Sequence, residues 1–167
     1  MRKLIFIFIL LLFCLPIQAN DCRVTGKFED IISNMNGIAE ILSYADFSTK
    51  RKIDPDKCTF EIQDGSKGLY VCQVNATTAL YISTDKYLNA EVFQIHSHTY
   101  TNVPTESSFD WAFVAANAAC INMKMPDVQD MFIEAYKNGY YMDEDILMIC
   151  NMHPTAENLW VFSVSNR

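Results

Sequence analysis

Apolar side chains recur at steps of three and four positions between residues 27 and 45, the spacing that forms one face of an α-helix. This apolar face comprises Phe28, Ile31, Ile32, Met35, Ile38, Ala39 and Leu42. Asp54 and Pro55 follow it, a pair that is typical of a break between elements. The pattern therefore predicts an N-terminal helix over roughly 27–45.

Four stretches rich in β-branched and aromatic residues come next, and such composition favours strands. They span residues 58–63, 69–74, 79–84 and 91–100, with short polar connections between them. Connections of this length join neighbouring antiparallel strands. We therefore predict a four-stranded antiparallel meander.

The pattern returns to helical spacing after the meander. Ser107 and Asp110 have the spacing of a capping box, and the helix that they begin is predicted to run to about Met125, where Pro126 stops it. A second helix is predicted to end at Asn138 and Gly139.

The end of the chain completes the predicted fold. The run 146–150 is too short for periodicity to distinguish strand from helix, whereas 159–164 predicts a closing strand. The predicted fold class is α+β: an N-terminal helix, the meander, two helices packed on the sheet and a closing C-terminal strand.

The first residues have the pattern of a secretory signal peptide. Arg2 and Lys3 precede a run of 12 apolar residues, and a small residue, Ala19, ends the segment. A membrane-spanning helix needs about 20 apolar residues, so this run is too short to serve as an anchor. We predict a signal peptide over 1–19, one disulfide-stabilised domain over 20–167, export to the periplasm or the extracellular space, and no membrane insertion after cleavage.

The charge of the chain limits its partners. Loss of the leader removes two basic residues, which leaves 11 basic against 20 acidic residues and a net charge of −9. Such acidity opposes binding to nucleic acid or to anionic membranes. Acidic residues dominate from Glu91 to Arg167, which favours a basic protein partner. Aromatic residues suited to interfaces are Tyr70, Tyr81, Tyr87, Tyr100, Tyr140, Tyr141, Trp111 and Trp160.

Five cysteines remain after cleavage, and an oxidising compartment makes disulfides the expected state. Cys58 and Cys72 flank a predicted hairpin and are expected to pair. Cys120 and Cys150 lie on later elements and are the expected second pair. Cys22 is then left as the free thiol, with a bridge from Cys22 to one of the other four as the open alternative.

His96 and His98 form the sharpest candidate site. Residues two apart on a strand point to the same face, so both imidazoles can approach one zinc ion, with His153 as a third ligand. Asp110 or Glu106 can add or orient a ligand. The alternative interpretation is a pair of solvated histidines near a strand end.

Other chemical signatures are weak. The chain contains no nucleophile elbow, P-loop or dinucleotide motif. The acidic run Asp143–Asp145 lacks the alternating ligands of a calcium loop and is explained as a solvated helix start.

These observations favour an exported, non-catalytic binding protein without a cofactor. The specific form predicted is an inhibitor or immunity-type protein that neutralises an envelope-acting partner protein. The alternative is a small zinc-dependent hydrolase that uses His96, His98 and His153. A structural or surface-associated protein is the third hypothesis.

Overall fold

The fold is built on one seven-stranded antiparallel sheet. A computed structural model describes residues 22–45, 47, 52–63, 67–99 and 103–167, so the predicted leader lies outside the described part. The strand order is β1-β2-β3-β4-β7-β6-β5. The strands are β1 (Thr59–Gln63), β2 (Lys67–Gln73), β3 (Thr78–Thr84), β4 (Ala90–His98), β5 (Tyr140–Met142), β6 (Ile146–Met152) and β7 (Leu159–Asn166).

Three α-helices accompany the sheet in the described part of the chain. They are α1 (Phe28–Ser43), α2 (Glu106–Ala119) and α3 (Met125–Asn138), and a short 3₁₀ turn, Pro55–Lys57, precedes β1. None of these helices is long and apolar enough to cross a membrane. The predicted α+β class is confirmed.

The helices cover one face of the sheet, which alternating side chains make apolar. The ring of Phe28 on α1 stacks on Tyr70 of β2, with the ring centroids 4.0 Å apart. The helix α2 packs on β4 and β7, and α3 packs on β5 and β6. Leu80, Ile82, Phe93, Ile95, Phe162 and Val164 project from the strands into this core and are almost fully buried.

The sheet is larger than the sequence pattern predicts. The meander β1 to β4 is present as expected, but β7 pairs with β4 and is followed outward by β6 and β5. The ambiguous run at 146–150 is a strand because it lies between two partners, β5 and β7. The edge strand β5 has only three residues, too few for an alternating pattern to be recognised.

The ends of α2 also differ from the prediction. Its N-cap is Thr105, whose side-chain oxygen accepts a hydrogen bond from the backbone N–H of Ser108. Asp110 is buried rather than exposed as a capping acid. The helix ends at Ala119, six residues before Met125, and Pro126 lies in the first turn of α3. Proline is favoured in a first helical turn, so here it begins a helix instead of stopping one.

The second face of the sheet has no described element packed on it. We call this surface the open face and define it by three rows of directly opposed residues on β2 to β7. The middle row is Val71, Tyr81, Gln94, Ser163, Ile149 and Tyr140; one outer row is Leu69, Ser83, Val92, Ser165, Leu147 and Met142; the other is Gln73, Ala79, His96, Val161 and Asn151.

Candidate binding surfaces

Two disulfides join cysteines in the described part of the chain, and one of them corrects the sequence prediction. Cys58 pairs with Cys72, as expected from the hairpin. The second bridge joins Cys22 to Cys120, so the expected Cys120–Cys150 bridge is wrong and Cys22 is not free. Cys150 is the buried free thiol of the described residues, and burial raises its pKa to about 12.

Hydrogen bonds at the N-terminal segment explain this pairing. The backbone N–H of Arg23 donates to the carbonyl oxygen of Ala119 at 2.8 Å, which places Cys22 beside Cys120 at the end of α2. The amide side chain of Asn166 on β7 binds both backbone polar groups of Val24. The N-terminal segment is thereby held between α2 and β7, an arrangement that depends on the tertiary fold.

The three histidines lie near one another at one end of the sheet. His96 and His98 are on the same face of β4, and Leu159 of β7 lies opposite His98. His153 follows β6, and its backbone N–H donates to the carbonyl oxygen of Leu159 at 2.7 Å. The strand that carries Leu159 therefore separates His153 from the other two.

The hydrogen bonds of His153 do not favour a zinc site. Nδ1 of His153 accepts hydrogen bonds from the backbone N–H groups of Thr155 and Ala156, at 3.3 and 3.1 Å. An imidazole that accepts at Nδ1 carries its proton on Nε2, so neither nitrogen is free to bind a metal in this state. Within the described ranges, no three His, Cys, Asp or Glu side chains form a group that could hold a metal ion.

The surroundings of His96 disfavour its protonated form. Burial lowers its pKa, and the charges of His153 and His98 lower it further. Its other neighbours on this face are uncharged: Tyr81, whose ring centroid lies 4.2 Å away, and Gln94.

We therefore expect stability to fall on acidification. In the unfolded chain His96 has its ordinary pKa of about 6.5, whereas in the folded chain this pKa is lower. The unfolded state therefore binds more protons as the pH falls below about 6.5, and the free energy of unfolding decreases. His96→Gln should lose less of its urea midpoint between pH 7.5 and pH 5 than the wild type. His98→Gln removes only one of the smaller contributions to that lowered pKa, so it should recover less of the loss than His96→Gln does. Equal losses in the wild type and His96→Gln would contradict this assignment.

The acidic run Asp143–Asp145 forms the turn between β5 and β6 rather than a helix start. The Oδ1 atom of Asp143 accepts hydrogen bonds from the backbone N–H groups of Asp145 and Ile146, each at 2.9 Å. Burial alone would raise the pKa of Asp143, but these bonds, the Tyr141 hydroxyl and the charge of Arg167 lower it. The Asp143 carboxylate is thus used to close the turn.

The aromatic residues considered as interface anchors separate into several groups. Trp111 and Trp160 are buried in the core, Tyr70 is packed beneath α1, and Tyr81 lies on the open face. Tyr87 and Tyr140 are strongly exposed. Burial raises the pKa of Tyr141 to about 12, with further contributions from Asp143 and Glu134. Tyr100 lies outside the described residues.

A cavity between α2 and α3 is lined mainly by phenylalanine. Its volume is about 90 Å³. One water molecule occupies about 10–15 Å³ on the same measure. The cavity is several times larger, so an apolar side chain of several heavy atoms can enter it. We call it the Phe cavity; its lining residues are Phe47, Phe109, Phe113, Gln129, Phe132 and Ile133.

An acidic stripe lies beside the Phe cavity on the same helix. It consists of Asp127, Asp130 and Glu134, which are exposed on α3 at helical spacing. None of the three forms a salt bridge with a residue that the structure describes. Ile133 separates the stripe from the cavity, and Glu134 lies close enough to Tyr141 for its charge to raise that residue's pKa. The stripe therefore runs between the cavity and the acidic β5–β6 turn.

Neither feature was recognised as a site from the sequence. Phe109 and Phe113 are four residues apart on a helix, which indicates a shared face but not a gap beside it. The acidic residues of α3 were included only in the general acidity of the C-terminal half. The one available signal was Phe47, an apolar residue that follows the end of α1 and lines the cavity.

No family model, curated protein or solved structure matches this chain.

Proposed function

We propose that this chain is an exported, non-catalytic binding protein, an inhibitor or immunity-type protein that neutralises a basic, envelope-acting partner. The observation that carries the proposal is the Phe cavity opening beside the acidic stripe. An apolar side chain that fills a pocket is the usual anchor of a protein interface, and charges around it add specificity and speed of association. This surface would therefore bind a partner that presents an apolar side chain flanked by lysine or arginine.

Export is part of the proposal and has two supports. The first is the basic start, short apolar run and small residue of the first 19 positions. The second is the pair of disulfides, which persist in oxidising compartments and are rare in the cytosol. The zinc hydrolase alternative gains no support from the described residues, since His96, His98 and His153 do not form a metal-binding group.

The test compares partner capture by four oxidised baits. Gln129 is exposed at the cavity rim, so Gln129→Trp should block the cavity without removing a core side chain. A second bait, Asp130→Lys with Glu134→Lys, reverses the acidic stripe. Its control, Asp56→Lys with Glu157→Lys, makes the same change in net charge at exposed positions elsewhere. The fourth bait is the wild type.

We expect the captured protein to be basic and both surface variants to bind it at least about tenfold more weakly, which corresponds to about 1.4 kcal/mol. The stripe variant should also lose the salt dependence of binding, because screening acts on the charges that it removes. The charge control should bind as the wild type does. Equal binding by all four baits would refute this surface, and chemical turnover of the captured protein would refute a non-catalytic role.

A further inference from the structure

The open face carries no charged side chain in any of its three rows. Its residues carry aliphatic, aromatic, hydroxyl or amide side chains, apart from the imidazole of His96. The nearest charges lie at the border: Lys67 pairs with Glu91 at 3.1 Å at one corner, and Glu61 is on the edge strand β1. In a chain with 20 acidic residues, this face is therefore distinct from the remaining surface.

Such composition is not that of a sheet face adapted to water. Antiparallel sheets with one solvated face usually alternate apolar and polar residues so that the solvated side is polar. Here Val71, Val161 and Leu147 occupy that side instead. Ten of the seventeen residues in the three rows are aliphatic or aromatic, and an exposed surface of this kind without charges is typical of an interaction site.

The centre of the open face is suited to contact with the same region of a second copy. β4 is the middle strand of the seven, and Gln94 lies in its middle row between Tyr81 and Ser163. A two-fold axis brings a residue near the axis against its own copy. An amide or a hydroxyl both donates and accepts hydrogen bonds, so Gln94 and Ser163 can pair with their own copies, whereas a charged residue there would repel its copy.

The size of the face reaches the lower limit for a specific dimer. Six strands of about 4.8 Å each give a width of about 29 Å, and three rows with the residues between them cover five residues, or a height of about 17 Å. The flat area is thus about 500 Å² per copy, or about 1,000 Å² for two copies, and protruding side chains add to it. A specific interface needs to bury at least about 1,000 Å² in total.

We propose that the open face binds a second copy of this chain, face to face, so that two sheets form a β-sandwich dimer. Packed sheets of this kind lie about 10 Å apart with their strands rotated by about 30°. A basic partner attracted by the net charge of the protein finds no acid on this face to pair with, whereas a second copy presents the same uncharged surface. The Phe cavity and the acidic stripe are on the helical side and stay accessible in both copies.

Sedimentation of the oxidised protein tests the dimer. We expect the wild type at about 50 μM to sediment as a dimer. Ser163→Lys places two like charges at the centre of the contact and should raise the dimer dissociation constant at least about 100-fold, giving a monomer. Ser33→Lys makes the same substitution at an exposed position of α1 and should remain dimeric.

A cross-link provides a second measurement if Ser163→Lys fails to fold. Gln94→Cys should form a disulfide with its own copy on mild oxidation, because the two-fold axis brings the two positions together. A wild type that is monomeric at this concentration overturns the proposal, and so does one whose open face binds only a different protein. So does a dimer that survives Ser163→Lys in a folded protein, or a Gln94→Cys variant that does not cross-link.

Discussion

Replacing Cys22 and Cys120 together by alanine should lower the free energy of unfolding by about 4–5 kcal/mol. The bridge joins positions 98 residues apart, and a loop of about 100 residues is worth about 4.7 kcal/mol in the chain-entropy model. Domains of this size are stable by about 5–15 kcal/mol, so the loss removes a large part of the total. Urea denaturation of the oxidised proteins measures it.

The Cys58–Cys72 bridge is the matched control, because it spans only 14 residues. Cys58→Ala with Cys72→Ala should cost about 3 kcal/mol by the same model. Both double variants remove one bridge, so the comparison isolates the length of the closed loop. A larger loss from the short bridge than from the long one would contradict the expectation.

Phe132→Ala should cost about 3–5 kcal/mol, the range for removal of a buried aromatic ring. Phe132 is 1% exposed, and its ring meets those of Phe109 on α2 and Phe162 on β7, at centroid distances of 4.9 and 5.3 Å. It therefore joins both helices to the sheet. The space left by the ring would merge with the Phe cavity, so neighbouring side chains could not fill it and the full cost of the enlarged cavity would remain. Thermal and urea unfolding measure the loss.

Tyr136→Ala is the control for that prediction. Tyr136 lies one turn further along α3 and also contacts the ring of Phe109, at 5.2 Å, but it is 40% exposed. Removing its ring leaves no enclosed cavity, so the cost should stay below about 1.5 kcal/mol. Similar losses in the two variants would show that Phe132 is not the ring that joins the layers.

Local patterns were sufficient for the elements that make up most of the fold. The apolar face of α1 predicted a helix over 27–45, and the helix runs from Phe28 to Ser43. The meander followed from composition and short connections. Cys58 and Cys72 could be paired because the hairpin that carries them is itself local. These predictions succeed because neighbouring residues along the chain determine them.

Errors arose where the deciding contact is distant in sequence. Nothing near Cys22 indicates that Asn166, at the other end of the chain, holds its segment beside α2. The strand character of β6 depends on β7, which follows it. The role of Pro126 is ambiguous in the sequence because a proline can end one helix or begin the next, and the end of α2 at Ala119 decides between them.

The candidate surfaces were the least predictable features. The Phe cavity is a gap between two helices, and such a gap depends on how far apart the helices pack. The uncharged open face depends on strand order: only when β7 lies next to β4 does Ser163 come beside Gln94. His96 and His98 share a face as expected, but the position of His153 is set by the pairing of β6 with β7.

The Cys22–Cys120 bridge has a consequence for oxidative assembly. If the chain crosses a membrane N-terminus first, Cys22 enters the oxidising compartment before any other cysteine of the mature chain, and its partner is 98 residues behind. Cys58 and Cys72 both arrive earlier than Cys120, so the first oxidations available to Cys22 are non-native. Such a bond is undone only when another thiolate attacks it. The yield of correctly bridged protein should therefore be limited by disulfide isomerisation rather than by the supply of oxidant.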